Sequence, residues 1–185
     1  MGKKKIVFLY SEIATYFLAC VEKLAEYEQV EIHIIRWPVN KEAPFEFNIP
    51  APLKIYNRTD YQRQEQLDKL VGSIKPNILY CSGWMDKGYL KVCKQYRSNI
   101  PVIVGFDNQW KGTLKQWIAV VLSPFKIKSH FTHCWVPGIL QYTYAKRLGF
   151  ADSKIMTGFY SCDVNFFNAQ YKAFQSQKKD NFPKR

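Results

Sequence analysis

Short apolar runs alternate with amphipathic segments along most of the chain. The run at residues 5–10 is rich in strand formers and predicts a buried first strand. Residues 12–27 predict a helix whose buried stripe holds Ile13, Phe17, Cys20 and Leu24. The same alternation predicts strands at 30–35, 53–56, 78–81, 101–105, 132–136 and 154–157, and helices at 60–74, 86–96, 110–122 and 139–148.

Strands and helices that alternate with short loops form a parallel sheet covered on both faces. The pattern therefore predicts an α/β, Rossmann-like, doubly wound sheet of about six or seven strands. We expect the loops that carry Ser11, Gly83, Asp107 and Gly138 to lie at one edge of that sheet, since they all follow strands.

Length and charge narrow the class of protein. The chain has 185 residues, which suits one α/β domain and is too short for two. Its formal net charge of +12 favours an anionic partner. The basic residues are dispersed and form no stripe with interleaved aromatic residues, so we expect no nucleic acid to be bound.

The cysteines and the amino terminus indicate a cytoplasmic protein. The five cysteines are scattered, form no CxxC pair and fall mostly in apolar stretches, as in a protein with reduced thiols. Glu12 interrupts the first apolar run, which is therefore too short for a signal peptide. No stretch approaches the ~20 apolar residues of a membrane span.

Ligands of open parallel sheets bind at the carboxyl ends of the strands, so the loops there are the candidate site. The first strand–helix turn lacks glycine, and the chain has neither GxGxxG nor GxxxxGK[ST], which argues against a dinucleotide or P-loop site. Asp107 directly follows a predicted strand, where a carboxylate orients or deprotonates a hydroxyl group; the alternative is a cap for the next helix. The candidate ligand contacts are Ser11, Glu12, Gly83, Trp84, Asn108, Trp110 and Gly138.

Two further features have competing interpretations. Ser11 is either a ligand contact or the N-cap of the first helix. His130, His133 and Cys134 lack further metal ligands at suitable spacing, so we expect them to be structural and predict no metal site.

The predicted helix at 110–122 has an unusual apolar face. Trp110, Leu114, Trp117, Ile118 and Val121 share this face, and Lys111 and Lys115 flank it. The face either packs on the sheet or contacts a membrane surface or a lipid acceptor.

Three segments together resemble the family-4 glycosyltransferases. A predicted helix ends in Arg147-Leu148-Gly149, matching the family's RLG. Asp163 and Phe167 match the turn G-x-D-x-x-x-F, with Ser161 and Cys162 in place of the usual Asn-Gly. Residues 74–80 resemble the family's KPD plus strand, with Asn77 for Asp, and the order of elements agrees over residues 4–167.

The resemblance implies one half of a GT-B architecture, in which two Rossmann-like domains face a cleft. Residues 1–167 would be the amino-terminal, acceptor-side domain, and residues 168–185 a polar linker toward a donor-binding domain. The implied partners are a nucleotide-sugar donor, bound mainly by the second domain, and a glycan or lipid-linked acceptor, with no cofactor. Many family members carry a histidine where this chain has Asp107, which makes Asp107 a positional candidate. The loop residues above become candidate acceptor contacts, and the net charge adds an anionic membrane surface as a partner.

Other classes of protein share this pattern. A GT-B epimerase or a non-catalytic GT-B-like scaffold has the same fold, and a free-standing nucleotide-binding α/β domain is a further alternative. Phosphate-binding glycines, which the last of these needs, are missing.

Because the resemblance places donor binding in a second domain, we expect the 185-residue chain alone to fold but to show no transferase activity. Its binding of nucleotide-sugars should be weak at best. Titration calorimetry with a panel of nucleotide-sugars measures this, and micromolar affinity for any of them would contradict the prediction.

Overall fold

The computed structural model describes residues 2–27, 29–38, 52–158, 161 and 164–181. In this part of the chain, the strands are β1 (Lys4–Tyr10), β2 (Val30–Arg36), β3 (Lys54–Asn57), β4 (Ile78–Ser82), β5 (Val102–Gly105), β6 (His133–Val136) and β7 (Ile155–Thr157). The helices are α1 (Thr15–Ala25), α2 (Gln64–Ile74), α3 (Lys87–Tyr96), α4 (Leu114–Lys126), α5 (Ile139–Arg147) and α6 (Val164–Asn181), with 3-10 turns at Arg58–Tyr61 and Asp152–Lys154.

All seven strands form one parallel sheet in the order β3-β2-β1-β4-β5-β6-β7. The chain winds outward from β1 to β3, returns to place β4 beside β1, and then winds the other way to β7. Right-handed crossovers therefore put α1 on one face and α3, α4 and α5 on the other. This topology confirms the predicted doubly wound, Rossmann-like sheet.

Two apolar clusters, one on each face, hold the helices to the sheet. Successive strand residues point to opposite faces, so Phe8 packs with α1 whereas Val7 and Leu9 pack on the other face. The cluster beside α1 includes Phe17, Ile34 and Tyr80. The larger cluster joins α2, α3 and α5 to β1, β2 and the four strands from β4 to β7. Burial on both faces explains the continuous apolar runs of the central strands.

Local signals set the helix boundaries. The Asp86 carboxylate accepts hydrogen bonds from the backbone N–H groups of Gly88 and Tyr89 and so begins α3. Thr113 begins α4 in a capping box with Gln116. Lys75 adopts a left-handed conformation (φ 58°) and ends α2.

Several predicted details of the helices are wrong. Helix α1 begins at Thr15, and Cys20 is exposed, because the buried stripe runs through Phe17, Leu18 and Val21 instead. The helix expected at 110–122 begins four residues later, at Leu114, where its capping box lies. Residues 168–181 of the predicted linker segment are helical and lie within α6, while their role as a linker stays a prediction. The loop expected after β2 lies mostly at residues 39–51, outside the described residues.

No helix in the described ranges is both long enough and apolar enough to cross a bilayer.

Gly105 provides a test of the central packing. An added Cβ there would lie 1.9 Å from the hydroxyl oxygen of Tyr80, whose side chain is 2% exposed between Phe8 and Trp135. We expect Gly105→Ala to lower the free energy of unfolding by about 1–3 kcal/mol, because the buried ring must shift. Urea denaturation measures the change.

Gly72→Ala is the matched control for this substitution. Its Cβ would meet nothing closer than 3.9 Å, and it lies inside α2, where alanine is favoured. We expect it to be neutral or stabilising. Equal effects at the two glycines would contradict the packing argument.

Candidate functional site

A cavity opens where the winding of the sheet reverses. The carboxyl ends of β1 and β4 are neighbours, but their loops lead away to opposite faces, which leaves a crevice between them. The cavity has a volume of about 240 Å³. It is lined by Tyr10, Ser11, Glu12, Tyr16, Tyr80, Ser82, Gly83, Gly105, Phe106, Asp107 and Asn108.

Hydrogen bonds tie the loops of the rim together. The backbone N–H of Ser11 donates to Ser82 Oγ at 2.9 Å, and the Ser82 hydroxyl lies 3.3 Å from Ser11 Oγ. The Gly83 N–H donates to the Gly105 carbonyl at 2.8 Å. The loops after β1, β4 and β5 are therefore held at fixed positions relative to one another.

The floor of the cavity is aromatic. Tyr10 stacks on Phe17 with ring centroids 4.0 Å apart, and Tyr80 lies 6.1 Å from Tyr10 in a nearly parallel orientation. Phe106 adds a third buried ring to the lining. An apolar floor beneath a few polar rim groups is the usual composition of a site for a small organic ligand.

A second, polar cavity adjoins the first and shares Asp107 and Asn108 with it. Its volume is about 360 Å³, and it is lined by Asp107, Asn108, Gln109, Lys111, Gln116 and Gln141. Gln116 Nε2 donates to the Gln109 carbonyl at 2.7 Å, and Gln141 Nε2 donates to the Asp107 carbonyl at 3.0 Å. Asp107 thus lies between an aromatic cavity and an amide-lined one.

The structure brings together five of the predicted site residues in the aromatic cavity, namely Ser11, Glu12, Gly83, Asp107 and Asn108. The alternative roles of two of them are wrong. Helix α1 has Ala14 as its N-cap, so Ser11 does not cap it. Helix α4 is capped by Thr113, so Asp107 does not cap it either.

Three predicted contacts lie outside this cavity. Trp84 packs edge-on against Phe106, with centroids 5.4 Å apart, and so supports the cavity wall from behind. Trp110, which lies in the β5–α4 loop, packs against Trp117 of α4 and Tyr144 of α5. Gly138 is the N-cap of α5, at the same edge of the sheet but away from the cavity lining.

Sequence reasoning missed the aromatic floor and the amide groups. Tyr10 and Tyr80 belong to apolar runs that predict buried strands, and only the cavity distinguishes them from packing residues. Gln116 and Gln141 lie on helices whose polar positions resemble an ordinary solvated face. The position of Tyr10 at the carboxyl end of β1 is the one sequence feature that indicates a place in the site.

Beside the cavity, a buried ion pair joins the β3 and β4 loops. Arg58 Nε lies 3.2 Å from Asp86 Oδ2, with side chains 8% and 12% exposed. Trp37 Nε1 donates to the same carboxylate oxygen at 3.0 Å, and the Arg58 guanidinium stacks over the rings of Trp37 and Tyr89. One carboxylate therefore fixes the loops after β2, β3 and β4.

The structure separates His133 from its neighbour Cys134. His133 and Cys134 are consecutive in β6 and point to opposite faces of the sheet. Burial is the main cause that lowers the pKa of both His130 and His133, which favours neutral rings. Within the described residues, no group of three or more His, Cys, Asp or Glu side chains is arranged to hold a metal ion.

The sheet order and the crevice define this chain as a Rossmann-like, doubly wound α/β domain. One similar solved structure is UDP-GlcNAc 2-epimerase from Neisseria meningitidis bound to UDP-GlcNAc, with 12% sequence identity and a TM-score of 0.54. The match covers 97% of this chain and 53% of the epimerase chain, so this chain spans about half of that enzyme's length. No protein-family model and no curated protein sequence matches the chain.

Asp86 tests how firmly the edge of the site is fixed. Asp86→Ala leaves the Arg58 charge buried without its partner and removes the cap of α3. We expect the free energy of unfolding to fall by about 3–5 kcal/mol. Thermal or urea denaturation measures this change.

Asp152→Ala is the matched control, since Asp152 pairs with Lys146 in an exposed ion pair. We expect a cost below ~1 kcal/mol there. If the two substitutions cost the same, the pair beside the cavity does not stabilise the site as described.

Proposed function

We propose that this chain is the acceptor-side domain of a glycosyltransferase that moves a sugar from a nucleotide-sugar to a glycan or lipid-linked acceptor. The observation that carries the proposal is the cavity at the reversal point of the sheet, where Asp107 and Asn108 stand above an aromatic floor. A fold like that of a sugar-nucleotide enzyme supports the class of substrate. The family resemblance of the sequence supports transfer as the reaction.

The composition of the cavity suits a sugar acceptor. Hydroxyl groups need donors and acceptors around the ring, and Ser11, Glu12, Asp107 and Asn108 supply them at the rim. The faces of a sugar ring are largely C–H, and the rings of Tyr10 and Tyr80 offer an apolar surface below. The cavity has room for about one sugar unit, and the amide-lined cavity continues beyond it.

Asp107 is the proposed general base. In this proposal its carboxylate accepts the proton of an acceptor hydroxyl as that oxygen bonds to the anomeric carbon of the donor sugar. The bond between the anomeric carbon and the nucleotide's phosphate oxygen breaks, and the nucleotide leaves with the electron pair. Asn108 and Gly83 are proposed to position the acceptor, and the donor nucleotide is proposed to bind mainly to a second domain. Peripheral association with an anionic membrane surface, on the cytoplasmic side, belongs to the same proposal.

An epimerase is the second candidate, and the structural similarity to a UDP-GlcNAc 2-epimerase favours it. The two reactions differ in their products. A transferase releases nucleotide only when an acceptor is present, whereas an epimerase changes the stereochemistry of the sugar without an acceptor. NMR spectra of nucleotide-sugars incubated with the complete enzyme, with and without acceptor sugars, distinguish them, and neither reaction would occur in a non-catalytic scaffold.

Asp107→Asn tests the role of the carboxylate in the complete enzyme. We expect kcat to fall by ~10²-fold or more, because the amide cannot accept the proton. Stability should hardly change, since the side chain is exposed. Steady-state kinetics with saturating acceptor measure the effect.

Asp152→Asn, an exposed aspartate just before β7, is the control and should leave kcat unchanged. Unaltered kinetics of the Asp107 variant would remove Asp107 from the catalytic machinery.

A further inference from the structure

Helix α4 has its apolar face turned away from the protein. Its exposed residues include six large apolar side chains, which are 42–76% exposed: Leu114, Trp117, Ile118, Val121, Leu122 and Phe125. On the opposite side, Ser123 is fully buried and donates a hydrogen bond to the Leu148 carbonyl at 2.6 Å, and Gln116 faces the amide-lined cavity. A surface helix of a globular domain is normally oriented the other way round. None of Leu114, Trp117, Ile118 and Val121 is buried against the sheet, so the packing alternative is wrong for them, although the half-exposed Trp117 also contacts the ring of Trp110.

The outward side chains form one continuous face. Counted from Leu114, they lie at positions i, i+3, i+4, i+7, i+8 and i+11 of α4, which is the spacing of one side of a helix. An unbroken apolar surface of this kind is uncommon on a domain that works alone in water and marks a contact surface.

The region around this face is strongly basic. Between Asp107 and Asp152 the sequence has no acidic residue and six basic ones, at positions 111, 115, 126, 128, 146 and 147. Lys115 and Lys126 are exposed on one flank of the apolar face, about three helical turns apart. The Arg147 guanidinium lies 4.6 Å from the ring centroid of Trp110 and 6.0 Å from that of Trp117, so a cation also borders the face near its start.

These two properties together select the partner. Lysines and arginines without acidic neighbours attract an anionic surface, and six bulky apolar side chains require a medium that accepts them. A nucleic acid supplies negative charge but no apolar medium. The headgroup region of an anionic bilayer supplies both, and Trp117 is the residue type that favours that depth. We propose that the outward face of α4 docks this protein on the anionic leaflet of a lipid bilayer.

The docking face and the candidate site share the same helix. Gln116, in the first turn of α4, lines the polar cavity that also holds Asp107, and Lys111 in the preceding loop lines it as well. Because Gln116 is on the side of α4 opposite the docking face, a molecule anchored in the leaflet would extend its polar headgroup around the amino-terminal end of α4, past Lys111, to reach this cavity. This step rests on the proposed function and makes the acceptor a lipid-linked one. The docking on α4 deepens the membrane association of that proposal and does not depend on the transferase reaction.

Vesicle sedimentation with the 185-residue protein tests the docking. We expect binding to vesicles of phosphatidylcholine mixed with phosphatidylglycerol at low salt, and much less binding to phosphatidylcholine alone. High salt should weaken the binding, because exposed charges are screened. Trp117 should enter a less polar environment, seen as a blue shift of tryptophan emission that Trp117→Tyr reduces.

Matched substitutions locate the surface. Phe125→Ser should lower the vesicle partition coefficient about tenfold, since the variant lacks the ring that the bilayer would bury. Phe174→Ser, on α6 and 62% exposed, is the same change elsewhere and should have little effect. Lys115→Ser should lower partitioning about fivefold, whereas Lys69→Ser, which lowers the net charge equally from α2, should have a smaller effect. Circular dichroism should show all four variants folded, because the replaced side chains are exposed.

Four results would overturn the proposal: no binding to anionic vesicles at low salt, equal binding to neutral vesicles, equal losses in the Phe125 and Phe174 variants, or binding of an oligonucleotide in place of vesicles. A dimer that Phe125→Ser dissociates, with vesicle binding unchanged, would assign the face to a second copy of the chain. None of these assays uses a donor or measures turnover. Their failure is therefore distinguishable from failure of the proposed transferase activity, which the Asp107 kinetics test.

Discussion

The pairing of β1 with both β2 and β4 is the constraint on which the rest of the structure depends. Crossovers between parallel strands have one preferred hand, which is right-handed. A chain that winds outward on both sides of β1 therefore places its two sets of helices on opposite faces. The loops after β1 and β4 then separate, and the crevice between them follows from connectivity alone. The candidate site occupies this crevice because the backbone leaves it open there.

What fills the crevice depends on side chains of the same strands. Tyr80 occupies the space that Gly105 leaves on the neighbouring strand, and its ring joins Tyr10 to form the floor. The same aromatic cluster anchors α1 through Phe17. The packing of the core and the shape of the cavity are thus one arrangement, in which a change at Gly105 affects both.

Helix α4 shows how a helix can be held by few apolar contacts. The hydrogen bond of buried Ser123 and the partly buried Ala119 and Val120 hold it to the domain, while its largest apolar residues remain outside. Exposing these residues to water has an unfavourable free energy that burial elsewhere must offset. Docking on a bilayer would remove these side chains from water and so offset that free energy. Gln116 of the same helix shares the polar cavity with Asp107, so the orientation of α4 and the position of the cavity fit one proposed activity.

The amino-acid sequence by itself determined the sheet and the edge at which the candidate site lies. Apolar runs of strand length and helical stripes are local signals, and the short loops between them require parallel crossovers. Ser11, Gly83 and Asp107 follow strands, so their common edge was predictable without coordinates. Periodicity predicted the start of α1 at residue 12, three residues too early. The chain becomes helical only at Thr15, and neither Ser11 nor Glu12 caps the helix.

Only the tertiary structure decided which residues face one another and which way α4 is turned. Trp84 and Gly83 are neighbours in sequence, yet one supports the wall and the other lines the cavity, because side-chain direction depends on the path of the backbone. The apolar stripe of α4 is a property of its sequence, but periodicity does not say whether a stripe points inward or outward. That orientation is set by long-range contacts of the opposite face, such as Ser123 with Leu148, which no local pattern specifies.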